Sequence, residues 1–202
     1  MKNMKENNFN ILFLLCILFI VSCKKELNKN EYVKWVENVD NKLHKVKKMN
    51  NIVFDLQYKP IQYIALQKQL HSNDNLNTII SNTEEMYYFN LKIKYENNNS
   101  NLLKKDVQSS AEYQERVYYY AYMFEKQIFL IIDSTKIPCK LYHFERSYDL
   151  SPNTSIILGF PKSNKQKNSF QLSIEPELLN TGIINFYFDK KTLENIPTLK
   201  YN

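Results

Sequence analysis

The stretch Phe89-Asn90-Leu91-Lys92-Ile93-Lys94-Tyr95-Glu96 alternates large apolar side chains with polar ones at every step. Successive side chains of a β-strand point to opposite faces, so this period of two describes a strand with one buried face and one wet face. The same alternation occurs upstream, where Ile52, Phe54, Leu56 and Tyr58 interleave with Val53, Asp55 and Gln57. Downstream, apolar or alternating runs at 127–133, 139–146, 155–160, 170–175 and 183–189 follow one another at short intervals. Turn-rich stretches, such as Asp149-Leu150-Ser151-Pro152-Asn153 and 162–168, separate them. This pattern predicts a β-rich α+β fold. Its strands, about seven, form a β-sandwich or a strongly curved antiparallel sheet with one or two packed helices. Phe89, Leu91 and Ile93 are expected to face inward together, as are Phe170, Leu172 and Ile174.

The helical signals are fewer. Ser109 and Glu112 have capping-box spacing, and Tyr113, Val117, Tyr120, Ala121 and Phe124 then form one stripe, which predicts a helix over 110–124. Pro60 opens a second helical stretch, 60–71, at a position where its missing N–H costs little. Tyr32, Trp35 and Val36 suit a short helix over 31–39. The loop Asn97-Asn98-Asn99-Ser100-Asn101 does without glycine because asparagine tolerates the left-handed region. No internal repeat is visible, and nothing marks a domain boundary after residue 50.

Composition excludes several function classes. The chain has two glycines, Gly159 and Gly182, so it has no glycine-rich loop for a phosphate or a dinucleotide. His44, His71 and His143 are far apart, with no metal-ligand spacing to each other or to a cysteine. Arg116 and Arg146 are the only arginines, which argues against a nucleic-acid surface. Cys139 and His143 would share a strand face but lie four residues apart, about 13 Å, too far for a nucleophile and its base. Glu84, Glu85, Glu112, Glu115, Asp133 and Glu145 are carboxylates that a glycosidase could pair only if two of them face across a cleft at a set separation, and no serine elbow is present. No catalytic residue is assigned.

The N-terminal segment carries a different message. Lys2 and Lys5 precede an unbroken apolar run at 11–21, the length of a secretory core and too short to span a bilayer. The run closes on Ile20-Val21-Ser22-Cys23, which resembles a bacterial lipobox. The resemblance implies a signal peptide at 1–22. It also implies a Cys23 that takes diacylglycerol and, once cleavage frees its amine, a further acyl chain such as palmitate. Two or more chains make attachment effectively stable without any spanning helix. Residues 23–30 then form the lipidated end and a polar linker, and 31–202 a single globular domain. Lys24 follows Cys23, where retained inner-membrane members of the class carry aspartate, so the resemblance implies the outer membrane over the inner. Cys16 leaves with the signal, so Cys139 remains as one unpaired thiol, read as a small buried hydrophobe.

A looser likeness extends into the domain. Tyr32-Val33-Lys34-Trp35, the stretch from Asn41-Lys42-Leu43 to Lys48, and Phe54-Asp55-Leu56-Gln57-Tyr58-Lys59-Pro60 are similar to the start of small uncharacterised envelope lipoproteins. That implies a compact lipoprotein domain and no mechanism.

Two surfaces stand out. The net charge of +6 is uneven: residues 23–50 hold eight lysines against four acids, while 51–202 are nearly neutral. Lys42, Lys45, Lys47 and Lys48 can contact anionic lipid head groups, or belong to a solvated tether and a charged edge strand. On the 110–124 helix, Tyr120 belongs to the apolar stripe while Tyr118, Tyr119 and Tyr122 project elsewhere. They are either a binding surface, rigid apolar area with a polar tip, or the underside of a second layer. The expectation is a non-enzymatic, lipid-anchored cell-envelope domain, with no cofactor or metal, that binds a protein or peptide. The alternative is a ligand- or glycan-binding lipoprotein using a tyrosine-rich surface or cleft.

Overall fold

A computed structural model describes residues 25–83, 85–96, 102–145, 153–162 and 169–200. In chain order the elements begin with β1 (Glu26–Leu27), α1 (Lys29–Glu37), β2 (His44–Met49), β3 (Ile52–Lys59), α2 (Ile61–Gln69) and α3 (Leu76–Asn82). There follow β4 (Met86–Tyr95), α4 (Ser110–Tyr118), a π-helical turn (Tyr119–Met123) and a 3-10 turn (Phe124–Gln127). The remainder is β5 (Ile128–Ile132), β6 (Thr135–Pro138), β7 (Leu141–Glu145), β8 (Thr154–Pro161), β9 (Phe170–Ile174), a 3-10 turn (Glu177–Leu179), β10 (Ile184–Phe188), α5 (Lys190–Glu194) and β11 (Thr198–Leu199).

Two antiparallel sheets make the sandwich. One has the order β2-β3-β4-β8-β7 and the other β10-β9-β5-β6, while β1 and β11 form a separate parallel pair. The alternation that opens the sequence reading sets the register. Phe54 sits opposite Ile93, Leu56 opposite Leu91 and Tyr58 opposite Phe89, so one face of β3 and β4 is apolar throughout. Phe89, Leu91, Ile93, Phe170, Leu172 and Ile174 are all buried together, as expected. The two sheets meet ring to ring. Tyr58 and Phe89 of the larger sheet contact Phe170 and Phe188 of the smaller one at centroid separations of 5.5–6.0 Å, within reach of edge and tilted aromatic packing.

The outer face of the larger sheet is covered at one end. There Gln57 of β3, itself buried, donates to the Val36 carbonyl of α1, and the Tyr63 hydroxyl of α2 donates to Glu37. Helix α1 starts on a complete capping box, Asn28 with Glu31, and buries Tyr32 and Val36. The polar stretch 24–30, read as a linker, is therefore partly in the fold from Glu26 onward: Leu27 is buried, and β1 pairs with β11. An apolar residue too isolated to register as a period still found a partner, at the other end of the sequence.

The hairpins show how a glycine-poor chain turns. Asn50 and Asn51 between β2 and β3, and Asp133 and Ser134 between β5 and β6, all have positive φ. Two such residues in a row match the tight turn that the strand twist favours, and asparagine and aspartate pay less than other side chains to enter that region. The strand expected at 139–146 is shorter, β7 starting at Leu141, because Pro138 and the Cys139-Lys140 pair separate it from β6. Helix α3, which no expectation from the sequence covers, starts after the polar stretch 72–75; Leu76 and Ile79 are its buried anchors.

Candidate functional site

Helix α4 begins where expected. The Ser109 hydroxyl accepts the Glu112 N–H, while the Glu112 carboxylate reaches back to Gln108 N–H and not to Ser109. Its continuation is not regular. At the end of the π turn the Phe124 N–H donates to the Tyr119 carbonyl, five residues back. In an α-helix that N–H would have gone to the Tyr120 carbonyl, which instead accepts the Tyr142 hydroxyl of β7 at 2.5 Å.

The wider turn reduces the rotation per residue, so Tyr119 and Tyr120 both remain on the inner side, their rings 5.1 Å apart and edge to face. Phe124 completes the cluster, and Phe144 of β7 stacks on Tyr120. Tyr120 and Phe124 are buried as the stripe required; Tyr119 is buried too, at 8% exposure, which removes it from the possible binding surface and fits the reading in which a second layer covers it. Its hydroxyl donates to Gln127 Oε1, and the same oxygen accepts the Glu177 N–H. Gln127 thereby ties the π turn to the 177–179 turn. Burial raises the pKa of Tyr119, Tyr120 and Tyr142 above the ordinary phenol value.

Tyr118 and Tyr122 remain outside, 57% and 63% exposed, with their rings 5.3 Å apart. Tyr118 lines a cleft of about 540 Å³ together with Tyr95, Tyr119, Tyr120, Met123 and Leu178, and the Tyr122 ring lies against that of Tyr118. The cleft is bounded by α4 and its π turn, by the 177–179 turn, and by the turn at 102–106. Arg116 holds that last turn in place, Nη1 donating to the Leu102 and Lys105 carbonyls at 3.1 and 2.5 Å. Glu112 and Glu115 are exposed on its wall. Aromatic area, a thioether and wall carboxylates can bind; the inner hydroxyls of Tyr119 and Tyr142 already donate to protein acceptors and keep their protons.

Other candidate groups are dispersed. Cys139 lies between β6 and β7, its Sγ donating to the Leu141 carbonyl at 2.9 Å, and burial pushes the thiol up to about 11. A thiol so held is a weak nucleophile at neutral pH. His44 Nδ1 is 3.4 Å from Asp55, and His71 and His143 lie elsewhere on the surface. Among the described residues no three metal-ligating side chains converge, and no helix is long and apolar enough to cross a membrane. Cys23 and residues 1–22, expected to be a signal peptide, lie outside the described residues, as does Glu84.

The four lysines do not form one patch. Lys45 and Lys47 pair across from Leu56 and Phe54, so they project from the core-side face of β2, and Lys48 projects from the other face, where it pairs with Glu96. Lys42 precedes the strand in a left-handed turn. The backbone of 44–49 is an edge strand of the larger sheet. No protein-family model, curated protein or solved structure matches the chain. Met123, Leu178 and Tyr95 were not singled out from sequence; the signal for Leu178 was an apolar Leu178-Leu179 pair in a turn between two strands.

Proposed function

We propose that this protein is a lipid-anchored domain of the bacterial cell envelope, held to the outer membrane through Cys23, that binds a segment of a partner protein without chemical turnover. The observation that supports the binding role is the exposed Tyr118–Tyr122 pair at the cleft. Exposed tyrosines beside Met123 and Leu178 give rigid contact area of the kind enriched at protein interfaces. The concavity favours a second reading, a small ligand or glycan in the cleft, since its volume falls within the range of ligand pockets.

A photocrosslinking side chain at Met123 in growing cells tests the first reading. A discrete protein adduct is expected, and it should disappear when Tyr118 and Tyr122 are both changed to Ala. Absence of a protein adduct, together with thermal stabilisation by an oligosaccharide, would favour the second. Anchoring is tested apart from binding: Cys23→Ala should block lipid labelling and move the protein out of the membrane fraction. Labelling that persists in Cys23→Ala removes the lipoprotein assignment.

A further inference from the structure

We propose that the open edge of β10, with Lys45 and Lys47 of β2 beside it, takes an extended acidic peptide as an additional strand. The inference is independent of the tyrosine cleft. It starts from the four edges of the sandwich. Edge strands present unpaired N–H and C=O groups, and proteins normally blunt them with charge, proline or brevity. Strand β2 carries three lysines, β6 is four residues long with Lys136 and Pro138, and β7 carries His143 and Glu145. Strand β10, Ile184-Asn185-Phe186-Tyr187-Phe188, has neither charge nor proline. Among the described residues it has one hydrogen-bonded neighbour, β9. Ile183 and Tyr187, at 61% and 63% exposure, leave apolar area along it.

The rim beside that edge is cationic. Lys45 Nζ lies 5.6 Å from the centre of the Phe188 ring, so the lysine reaches from the core-side face of β2 to the far end of β10. At the other end of both strands the Asn50 side chain donates to the Asn180 carbonyl at 2.9 Å. The two edge strands therefore run antiparallel along one side of the sandwich. Lys47, two residues beyond Lys45, faces the middle of that side. Neither Lys45 nor Lys47 has a carboxylate within ion-pair distance among the described residues. A strand added to β10 points alternate side chains toward this rim, and residues two apart on a strand are spaced about 7 Å, as are Lys45 and Lys47. Carboxylates at alternate positions would meet both ammonium groups while the backbone continues the β10 ladder. A second copy of the chain fits less well, because β10 against its own symmetry mate sets two rows of lysines, with Lys190 and Lys191 following each strand, along one seam.

The test is hydrogen exchange on the full-length protein in neutral detergent, with the probe peptide acetyl-Thr-Glu-Val-Glu-Val-Glu-Thr-amide. Saturating peptide should slow exchange within 184–188, and a peptide with lysine in place of glutamate should not. The double variant Lys45→Glu, Lys47→Glu should weaken the acidic peptide about tenfold, the scale of two surface ion pairs. The same variant should gain protection from the lysine peptide, which shows that it is folded and that charge selects the strand. Protection confined to 44–49, binding indifferent to both charge swaps, or no protection at all would each overturn the proposal. So would salt-sensitive binding to phosphatidylserine vesicles that the double variant loses while the peptide gives no protection, an outcome that assigns the lysines to the membrane.

Discussion

Gly159 marks a place in β8 where a side chain has no room. A Cβ there would sit 2.9 Å from the Leu141 Cβ of β7 and 2.9 Å from the Met86 sulfur of β4. The thioether can swing away, but the Leu141 Cβ is fixed to its backbone, so relief requires the two strands to part. Gly159→Ala should therefore cost about 1–3 kcal/mol in denaturant unfolding. Adding Met86→Ala should recover little of that, because the fixed contact remains. Equal stability of Gly159→Ala and the parent would mean that β7 shifts freely on β8. At this scale the sequence was informative for positions with a period and uninformative for positions defined by a neighbour. The alternation of Phe89, Leu91 and Ile93 announced their burial, whereas the crowding at Gly159 depends on which strand lies beside β8, and no local pattern records that.

Among the elements, the π turn decides what the tyrosines do. The apolar stripe on the 110–124 helix put Tyr120 and Phe124 inside correctly. It left Tyr119 off the core face because a regular helix turns about 100° per residue, and the i→i+5 turn departs from that rotation. A hydroxyl from β7 caps the carbonyl that the irregular turn leaves over, so the departure is visible only once β7 is in place. Tyr142→Phe removes the cap. It should destabilise the fold by about 1–3 kcal/mol, the cost of an unmet buried acceptor, and raise hydrogen exchange across 119–127 more than in β3 or β4. Uniform change across the chain would instead mean that the turn is set by ring packing alone. The basic stretch 42–48 shows the complementary case. Its residues from His44 onward carry a strand's backbone, but Lys45, Lys47 and Lys48 hide the apolar period by which strands are recognised, since an edge strand need bury little.

For the molecule as a whole, the core is unusually phenolic, and that gives a pH dependence. Burial raises the pKa of Tyr58, Tyr120 and Tyr142 above the ordinary 10.0, and that of Cys139 from 9.0 to about 11. Above their ordinary values these groups lose protons in the unfolded chain while the folded chain keeps them. The unfolded state then binds fewer protons, and stability falls as pH rises. The melting temperature should hold steady to about pH 8.5 and then drop progressively through pH 11. Tyr142→Phe should flatten that drop relative to its own value at pH 7. A melting temperature level from pH 8 to 11 would mean that these groups ionise as readily folded as unfolded. The sandwich itself was legible because seven runs of alternation imply layered sheets. The division of strands between layers was not, since β8 pairs with β4 across a long separation in sequence.

The parallel pairing of β1 with β11 joins Glu26 to Thr198 and Leu27 to Leu199, and the flanking bonds run from Thr198 N–H to the Lys25 carbonyl and from Lys200 N–H to the Leu27 carbonyl. This has a consequence in time. A chain delivered residue by residue presents β1 about 170 residues before β11, an interval of roughly ten to thirty seconds at about 5–20 residues per second. During that interval Leu27 has no partner strand, and both sheets can assemble while the clasp stays open. Closing that clasp is then a local step beside residue 25, and it requires every strand from β1 to β10 to have been made first.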